Sequence, residues 1–328
     1  MYSPKRTRKI LLLAISLLVV GLVVENALAQ EAYPTRPIKV VCPWAPGMSD
    51  TIARVVCKAA ERELGQPIIV ENKPGAGGSL GVNYAFKSEP DGYTLGLPMT
   101  SAYLVHPHLR KLAYDPLTCS VDITTIFKYS FGLAVRADAP WNSYEDVIAY
   151  AKKNPGKFTY GLGGGIGSTQ HICMERIAMK EGIKWTIIPF KGDGESVSAV
   201  LGGHVNSVAQ GPLAELPHLK AGKLKLLFTL DDKRWPDYPN VPTMMEKGFN
   251  FYAVSYQCLS APKGVPESII RKLEVAFNKA KKDPAFLKTL GDFHVPVGDL
   301  GGKEYSDFWR SKYDEMGEVI KVLGLQEK

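Results

Sequence analysis

Residues 38–64 read IKVVCPWAPGMSDTIARVVCKAAEREL. The first five form a β-type run that Pro43 ends, and residues 51–64 carry apolar side chains at helical spacing until Gly65 stops the helix. Ligands in an open α/β sheet bind beyond the carboxyl ends of its strands. The turn between this strand and this helix is therefore the first candidate site, and we expect Asp50 to cap the helix.

The same alternation continues along the chain, with turns rich in Gly and Pro between the segments. Further strands are predicted at 68–70, 94–97, 131–135, 158–160, 186–189, 205–209, 224–229 and 252–259. Further helices are predicted at 81–86, 143–153, 168–180, 195–201, 266–281, 284–290 and 303–323. This alternation predicts an α/β fold with largely parallel sheets.

The last helices are too long to belong only to a lobe built from the end of the chain. We therefore predict two discontinuous lobes: residues 32–130 together with 253–328, and residues 131–252. The chain crosses twice between such lobes and forms a hinge there, and a hinge favours closure around a ligand.

The amino terminus has the pattern of an export signal. An apolar run from Ile10 to Val24 is followed by Ala27-Leu28-Ala29, and it is preceded by the basic residues Lys5, Arg6, Arg8 and Lys9. The run is shorter than the roughly 20 residues that span a bilayer as a helix. We expect residues 1–29 to be a cleavable signal peptide and the mature protein to be periplasmic; a retained membrane anchor is the alternative.

The charge of the chain argues against a nucleic-acid partner. It carries 40 basic and 33 acidic residues, a net charge of +7. Loss of the leader, with four basic residues and one acidic residue, leaves a net charge of +4. Basic and acidic residues are interleaved through the mature chain, whereas nucleic-acid binding needs a concentrated basic face.

The sequence shows no motif of catalysis or metal binding in the setting that such a motif needs. Five cysteines are irregularly spaced without a C-x-x-C pair, so neither a zinc site nor a redox motif is indicated, and most are expected to be buried apolar fillers. H-E-x-x-H does not occur, and the spacing G-x-S-x-G occurs only at residues 77–81, in a glycine-rich turn that is not a nucleophile elbow. His106-Pro107-His108 looks metal-like, but the proline and the loop setting favour coincidence. We expect a protein that is not an enzyme and that holds no metal or cofactor.

A second candidate site is the glycine-rich turn from Gly163 to Thr169, again between a strand and a helix. A helix amino terminus offers unpaired N–H groups and the positive end of a dipole, which suit an anion. The turn lacks the spacings G-x-G-x-x-G and G-K-[ST], which disfavours a nucleotide. Residues 73–79 are either a structural loop or a ligand contact, and Lys191 either faces an anion or is solvated.

Ten short motifs follow one another along the mature chain. They are YPTRPI at 33–38, PWAPG at 43–47, LGQP at 64–67, VENKPGAGG at 70–78, PDGYTL at 90–95, YDP at 114–116, AYAKKNPGK at 149–157, LGGHV at 201–205, LKAGK at 219–223 and PNVPT at 239–243. Each motif is short, but the ordered set is specific. In this set the chain resembles the substrate-binding proteins of tripartite tricarboxylate transporters, the Bug-type family.

The resemblance implies a two-lobed periplasmic-binding-protein fold of type II with a ligand cleft between the lobes. It also implies delivery of a small carboxylate to a membrane permease with one large and one small subunit. The two turns then grip one carboxylate through main-chain N–H groups and hydroxyls, and the residues assigned to this grip are Ala45, Gly47, Met48, Ser49, Asp50, Gly165, Gly167, Ser168 and Thr169. Further candidate ligand contacts are Trp44, Ser101, His171, Lys191 and Gln210.

Two departures from the family pattern affect the site. The first turn has one glycine fewer than usual, because Gly47 is followed directly by Met48, so its backbone must differ. The position after the predicted strand 205–209, often Asp in relatives, is Gln210, which brings no charge to meet an ammonium group.

The sequence does not identify the carboxylate. Trp44, Tyr103 and Tyr256 are candidate aromatic walls, which favours an aromatic acid, and a dicarboxylate is also considered; packing inside the lobes is the alternative for these rings. A sensor that presents its closed form to a signalling partner is the second functional hypothesis, and an α/β enzyme is the third. We expect the receptor to be a monomer.

Overall fold

The structure of the protein, a computed structural model, describes residues 33–327. The predicted signal peptide therefore lies outside the described residues. Strands of the described chain form two five-stranded sheets. None of the helices in this part of the chain combines the length and the apolar character needed to cross a membrane.

The first sheet combines strands from early and late parts of the chain. Its strands are β1 (Ile38–Cys42), β2 (Ile68–Asn72), β3 (Thr94–Gly96), β4 (Ser120–Tyr129) and β10 (Ser255–Pro262), in the order β2-β1-β3-β10-β4. β1 runs parallel to β2 and β3, with Val40 opposite Val70 and Leu95. These three side chains are buried, so the apolar pattern fixes the register.

The second sheet has the same arrangement. Its strands are β5 (Gly132–Arg136), β6 (Thr159–Leu162), β7 (Thr186–Pro189), β8 (Ser207–Gln210) and β9 (Leu224–Thr229), in the order β7-β6-β8-β5-β9. In each sheet four strands run one way, and the strand next to one edge, β10 or β5, runs the other way. The predicted fold of two α/β lobes with largely parallel sheets is therefore confirmed.

The reversed strand of each sheet is the one that the chain enters after crossing from the other sheet. The chain leaves the first sheet at Tyr129, enters the second at Gly132 and returns at Ser255. These crossings agree with the expected hinge, while the lobe boundaries at residues 130/131 and 252/253 stay a prediction.

The helices pack around these sheets. They are α1 (Met48–Leu64), α2 (Ser79–Phe86), α3 (Thr100–Leu104), α4 (His106–Leu109), α5 (Tyr144–Lys153), α6 (Thr169–Glu181), α7 (Asp193–Leu201), α8 (Pro212–Lys220), α9 (Glu267–Ala280), α10 (Pro284–Asp292), α11 (Gly302–Arg310) and α12 (Tyr313–Val322). α9 buries Ile269, Leu273 and Phe277, which recur at helical spacing. Both α9 and α10 pack on α1, so the late helices complete the core of the first sheet.

Several elements differ from the sequence-based expectation. β4 was not predicted, because eight of its ten residues are buried without the alternation of a half-exposed strand. α8 contains Pro217, which hides its helical pattern since proline usually ends a helix. The single helix predicted at 303–323 is two helices, α11 and α12, separated at Ser311 and Lys312.

The expectation that most cysteines are buried fillers is confirmed. All five are free, with Cys119 half-buried and the others buried. Burial raises the pKa of the Cys42 and Cys119 thiols to about 11. Both thiols therefore stay protonated and weakly reactive at neutral pH.

The predicted start of α5 provides a test of the local structure. Ser143 is the N-cap of α5, and its hydroxyl accepts a hydrogen bond from the Asp146 N–H at 3.1 Å. Ser143→Ala removes the acceptor, so the free energy of unfolding should fall by about 1 kcal/mol, whereas Ser143→Gly should cost only roughly 0.3 kcal/mol. Urea denaturation of the three proteins measures both values; an alanine variant as stable as the parent would contradict the capping role.

Candidate functional site

A cavity of about 470 Å³ lies between the two lobes. Its walls come from α1, from α4, from Tyr129 and Phe131 where the chain crosses between the sheets, and from the glycine-rich turn before α6. The volume lies within the range of small-molecule sites, about 300–1,000 Å³. The cavity therefore brings together the two turns that the sequence marks as candidate sites.

The first wall is the amino terminus of α1. The helix begins at Met48 with Gly47 as its N-cap, and the Thr51 N–H donates to the Gly47 carbonyl at 2.9 Å. Within residues 33–327, the main-chain N–H groups of Met48, Ser49 and Asp50 have no acceptor, as is usual for a first helical turn. Three N–H donors and the positive end of the helix dipole thus stand beside the cavity.

The prediction that Asp50 caps α1 is wrong. No side chain caps this helix, and the Asp50 carboxylate pairs with the Arg54 guanidinium one turn later, at 2.9 Å. The turn that is one glycine short is accommodated by an earlier helix start, with extended backbone at Gly47 (φ 167°). Because Arg54 compensates its charge, Asp50 opposes an anion at the helix terminus less than a free carboxylate would.

The second wall is the amino terminus of α6. Ser168 is the N-cap, and its hydroxyl accepts from the His171 N–H at 3.4 Å. The Gly167 N–H donates to His171 Nδ1 at 3.0 Å, so this amide is already used. The N–H groups of Thr169 and Gln170 find no acceptor in the part of the chain that the structure describes. These two amides are among the donors that this wall offers to a ligand.

Two histidines near the cavity are held in the neutral form. Burial lowers the pKa of His171 to about 4, and its Nδ1 must be unprotonated to accept from Gly167. Burial, with a smaller contribution from Arg110, also lowers the pKa of His106 to about 4. Neither imidazole supplies a positive charge at neutral pH, so an anion here depends on amides and on Arg110.

Arg110 is a cavity residue that no sequence motif marks. Its Nη2 donates to the Ala76 carbonyl at 2.6 Å and its Nη1 lies 3.7 Å from the exposed Glu327 carboxylate, whereas its Nε is buried with no partner among residues 33–327. Trp44 also lines the cavity, and its Nε1 is buried without a partner in the same range. A buried donor without an acceptor costs about 1–3 kcal/mol, but a ligand oxygen reaches neither atom unless its side chain moves.

Asp193 is a second cavity residue that the sequence does not reveal. It is the first residue of α7 and lines the cavity from the second lobe. The Tyr129 hydroxyl donates to its Oδ2 at 3.2 Å. The Gln210 side chain, oriented so that its neighbours are satisfied, donates to Asp193 Oδ1 at 2.7 Å. Burial raises the pKa of Asp193, against a smaller lowering by Tyr129.

The predicted ligand residues fall into two groups. Those that line the cavity are Trp44, Met48, Ser49, Ser101, Gly167, Ser168 and Thr169. Those outside its lining are the exposed Ala45, Gly47 and Lys191, the half-buried Gly165, and the buried Asp50, His171 and Gln210. Contact of any of these residues with a ligand stays a prediction.

The aromatic walls differ from the expectation. Trp44 lines the cavity, but Tyr103 stacks on Trp309 with ring centroids 4.9 Å apart, and Tyr256 packs edge-on against Tyr305. Placing Tyr103 and Tyr256 at the ligand is therefore wrong, because both rings belong to the core of the first lobe. The aromatic residues that line the cavity with Trp44 are instead Tyr129 and Phe131, whose ring centroids are 5.0 Å apart.

A second cavity of about 410 Å³, lined by residues that include Lys128, Arg234 and Trp235, is less suited to an anion. Lys128 is paired with Asp231 at 3.1 Å and with Asp232, and Arg234 is paired with Glu246 at 3.0 Å. The charges of these two cations are already compensated, although the exposed Lys233 on the same lining has no ion pair among residues 33–327. The cavity between α1 and α6 is the better candidate site because the first turns of two helices present main-chain N–H donors there.

Two α/β lobes, two chain crossings and a cleft faced by two helix amino termini define the class of two-lobed solute-binding proteins. The sequence model of the tripartite tricarboxylate transporter family receptor, TctC, matches residues 52–325. The chain belongs to this family of receptors, and the predicted family is thereby confirmed.

Known relatives agree with this assignment. The chain is 41% identical over 307 residues, 93% of each chain, to the "UPF0065 protein in gbd 5'region" of Cupriavidus necator. It is 33% identical over 281 residues to Protein BugT of Bordetella pertussis, covering 83% of this chain and 86% of that one. These relatives span nearly the same length as the chain itself.

Solved structures are similar over nearly the full length. A TctC solute-binding protein from Polaromonas has a TM-score of 0.80 at 28% identity, covering 89% of this chain and 100% of that one. An R. palustris protein solved with adipate has a TM-score of 0.74 at 26% identity, with 89% and 98% covered. MatC from Rhodopseudomonas palustris, solved with malate, has a TM-score of 0.72 at 26% identity, with 88% and 100% covered.

The buried His171 predicts a pH dependence of stability. The His171 imidazole takes up a proton near pH 6.5 in the unfolded chain, but only near pH 4 in the folded chain. Between these values the unfolded state binds more protons, so stability falls as the pH falls, by about 2 kcal/mol from this group between pH 7 and pH 5. His171→Gln keeps an acceptor for the Gly167 N–H. Between pH 7 and pH 5 its free energy of unfolding should fall by about 2 kcal/mol less than that of the parent.

Denaturant unfolding at pH 7 and pH 5 measures this difference. His204→Gln is the matched control, because His204 is exposed on the second lobe. The control should keep the parent's pH dependence. An unchanged pH dependence in His171→Gln would show that the buried neutral imidazole is not what links this turn to pH.

Proposed function

We propose that this chain is a periplasmic receptor that captures a small organic carboxylate between its lobes and delivers it to a membrane permease with one large and one small subunit. Export through a signal peptide at residues 1–29 belongs to this proposal, as does action as a monomer. The family assignment supports the transport role, and the cleft supports the acidic ligand.

One observation carries the proposal for the ligand. The amino termini of α1 and α6 lie at one cavity, and the first turns of both helices have main-chain N–H groups without an acceptor among residues 33–327. Oriented N–H groups and two positive dipole ends stabilise a carboxylate without a neighbouring lysine. Arg110, a positively charged residue, lines the same cavity. The adipate and malate found with the two R. palustris relatives are ligands of this chemistry.

The capture of an acid is tested by thermal unfolding of the mature protein with a set of small carboxylates, each paired with its primary amide. The acid should raise the melting temperature and its amide should not, because only the acid brings the charge that the helix termini favour. An acid at a hundredfold excess over its Kd adds about 2.7 kcal/mol to the stability of the folded state. Equal shifts for acid and amide would contradict carboxylate recognition.

Arg110 provides a sharper test of the geometry. Arg110→Gln removes a charged donor from the cavity wall, so the affinity for the tightest acid of that set should fall by about 10- to 100-fold. Lys184→Gln is the matched control, since Lys184 is exposed and outside the cavity lining, and it should change the affinity by less than about twofold. Calorimetry measures both; a larger loss for Lys184→Gln would place the anion elsewhere.

A further inference from the structure

The cleft contains an acidic group that capture of a carboxylate alone does not explain. Asp193 lines the cavity although an anionic ligand is repelled by its charge. Its position is set from two strands, by the Tyr129 hydroxyl at the end of β4 and by the Gln210 amide at the end of β8. A side chain added at Gly211 would approach Tyr129 Oη to 2.2 Å, so the tyrosine is itself closely packed. Asp193 is therefore a fixed part of the cleft.

The surroundings of Asp193 leave it able to accept further hydrogen bonds. A carboxylate offers about four lone-pair positions, and Tyr129 and Gln210 each use one. Behind it, the wholly buried Glu215 accepts from the Gln210 main-chain N–H at 3.2 Å. The groups that make these contacts with the two carboxyls are neutral. The part of the cavity around Asp193 thus presents acceptors, while Arg110 and the starts of α1 and α6 present donors.

We infer that the cleft selects carboxylates that also carry a hydrogen-bond donor, a hydroxyl or an ammonium group, and that Asp193 accepts from that donor. The inference rests on the proposed function, because it assigns the second polar group of the same ligand. A second carboxylate in this position meets a like charge and finds no unpaired donor on Asp193.

Two matched series of acids test this inference with the mature protein. The first is adipate, 6-hydroxyhexanoate and 6-aminohexanoate; the second is succinate, 4-hydroxybutyrate and 4-aminobutyrate. Within a series the carbon chain and one carboxylate are constant, and only the far group changes. By calorimetry, the hydroxy acid or the amino acid should bind at least about tenfold tighter than the dicarboxylate of the same series. Comparison of the hydroxy acid with the amino acid shows which donor is preferred.

Asp193→Asn should change this ranking. The asparagine amide can donate to a second carboxylate, so the dicarboxylate should gain at least about tenfold relative to the amino acid of the same length. Glu195→Gln, on the same helix but exposed and outside the cavity lining, is the matched control and should keep the parent's ranking. The ranking in the unmodified protein does not depend on how well the variants fold.

The possible outcomes separate this inference from the proposed function. Dicarboxylates that bind the parent as tightly as their hydroxy and amino counterparts overturn the role of Asp193 and leave carboxylate capture standing. Binding of none of the six acids, while other acids of the wider set bind, also overturns it. If no acid of any kind binds, the proposed function fails as well.

Discussion

Main-chain N–H groups at the starts of α1 and α6 are the interaction on which the rest of the site depends. A helix holds these donors in place before a ligand arrives, so binding does not require a long side chain to lose its freedom. Ser168 and His171 organise the α6 turn by occupying two other N–H groups, those of His171 and Gly167. What remains for a ligand is a small set of donors with fixed directions.

The two sheets explain why these helix termini share one cavity. β1 and β6 each run parallel to two neighbours and end at a turn that leads to α1 or α6. The chain crosses between the sheets beside this cavity, at Tyr129 and Phe131. The buried Lys128 ties β4 to the segment after β9 through Asp231 and Asp232. The same crossings that connect the lobes therefore supply the wall between the two candidate anion-binding turns.

Much of this could be predicted from local sequence, because it depends on local patterns. The turn around Gly47 and the turn around Gly167 each stand between a strand and a helix. Gly167 lines the cavity, and Gly47 is the N-cap of α1, whose first residues line it. The capping residue of α1 could not be predicted, since a turn that lacks one glycine can start its helix earlier, as it does at Met48. Arg110 could not be predicted as a site residue, because nothing in the neighbouring sequence shows that α4 reaches the cleft.

Asp193 was hidden for a different reason. Its partners, Tyr129 and Gln210, are 64 and 17 positions away in the sequence and meet it only when β4, β8 and α7 come together. Gln210 was expected at the ligand but lies behind Asp193, where it orients that carboxyl group. In the proposed site, long-range contacts of this kind set which acids the cleft accepts, whereas the local turns supply the main-chain donors for the acid group.

A crystal structure of the mature protein with a bound carboxylate tests the central claim most directly. The account predicts that the acid oxygens lie within about 2.7–3.2 Å of main-chain nitrogens in the first turns of both α1 and α6. An acid group bound away from both helix termini, or held only by side chains, would contradict it.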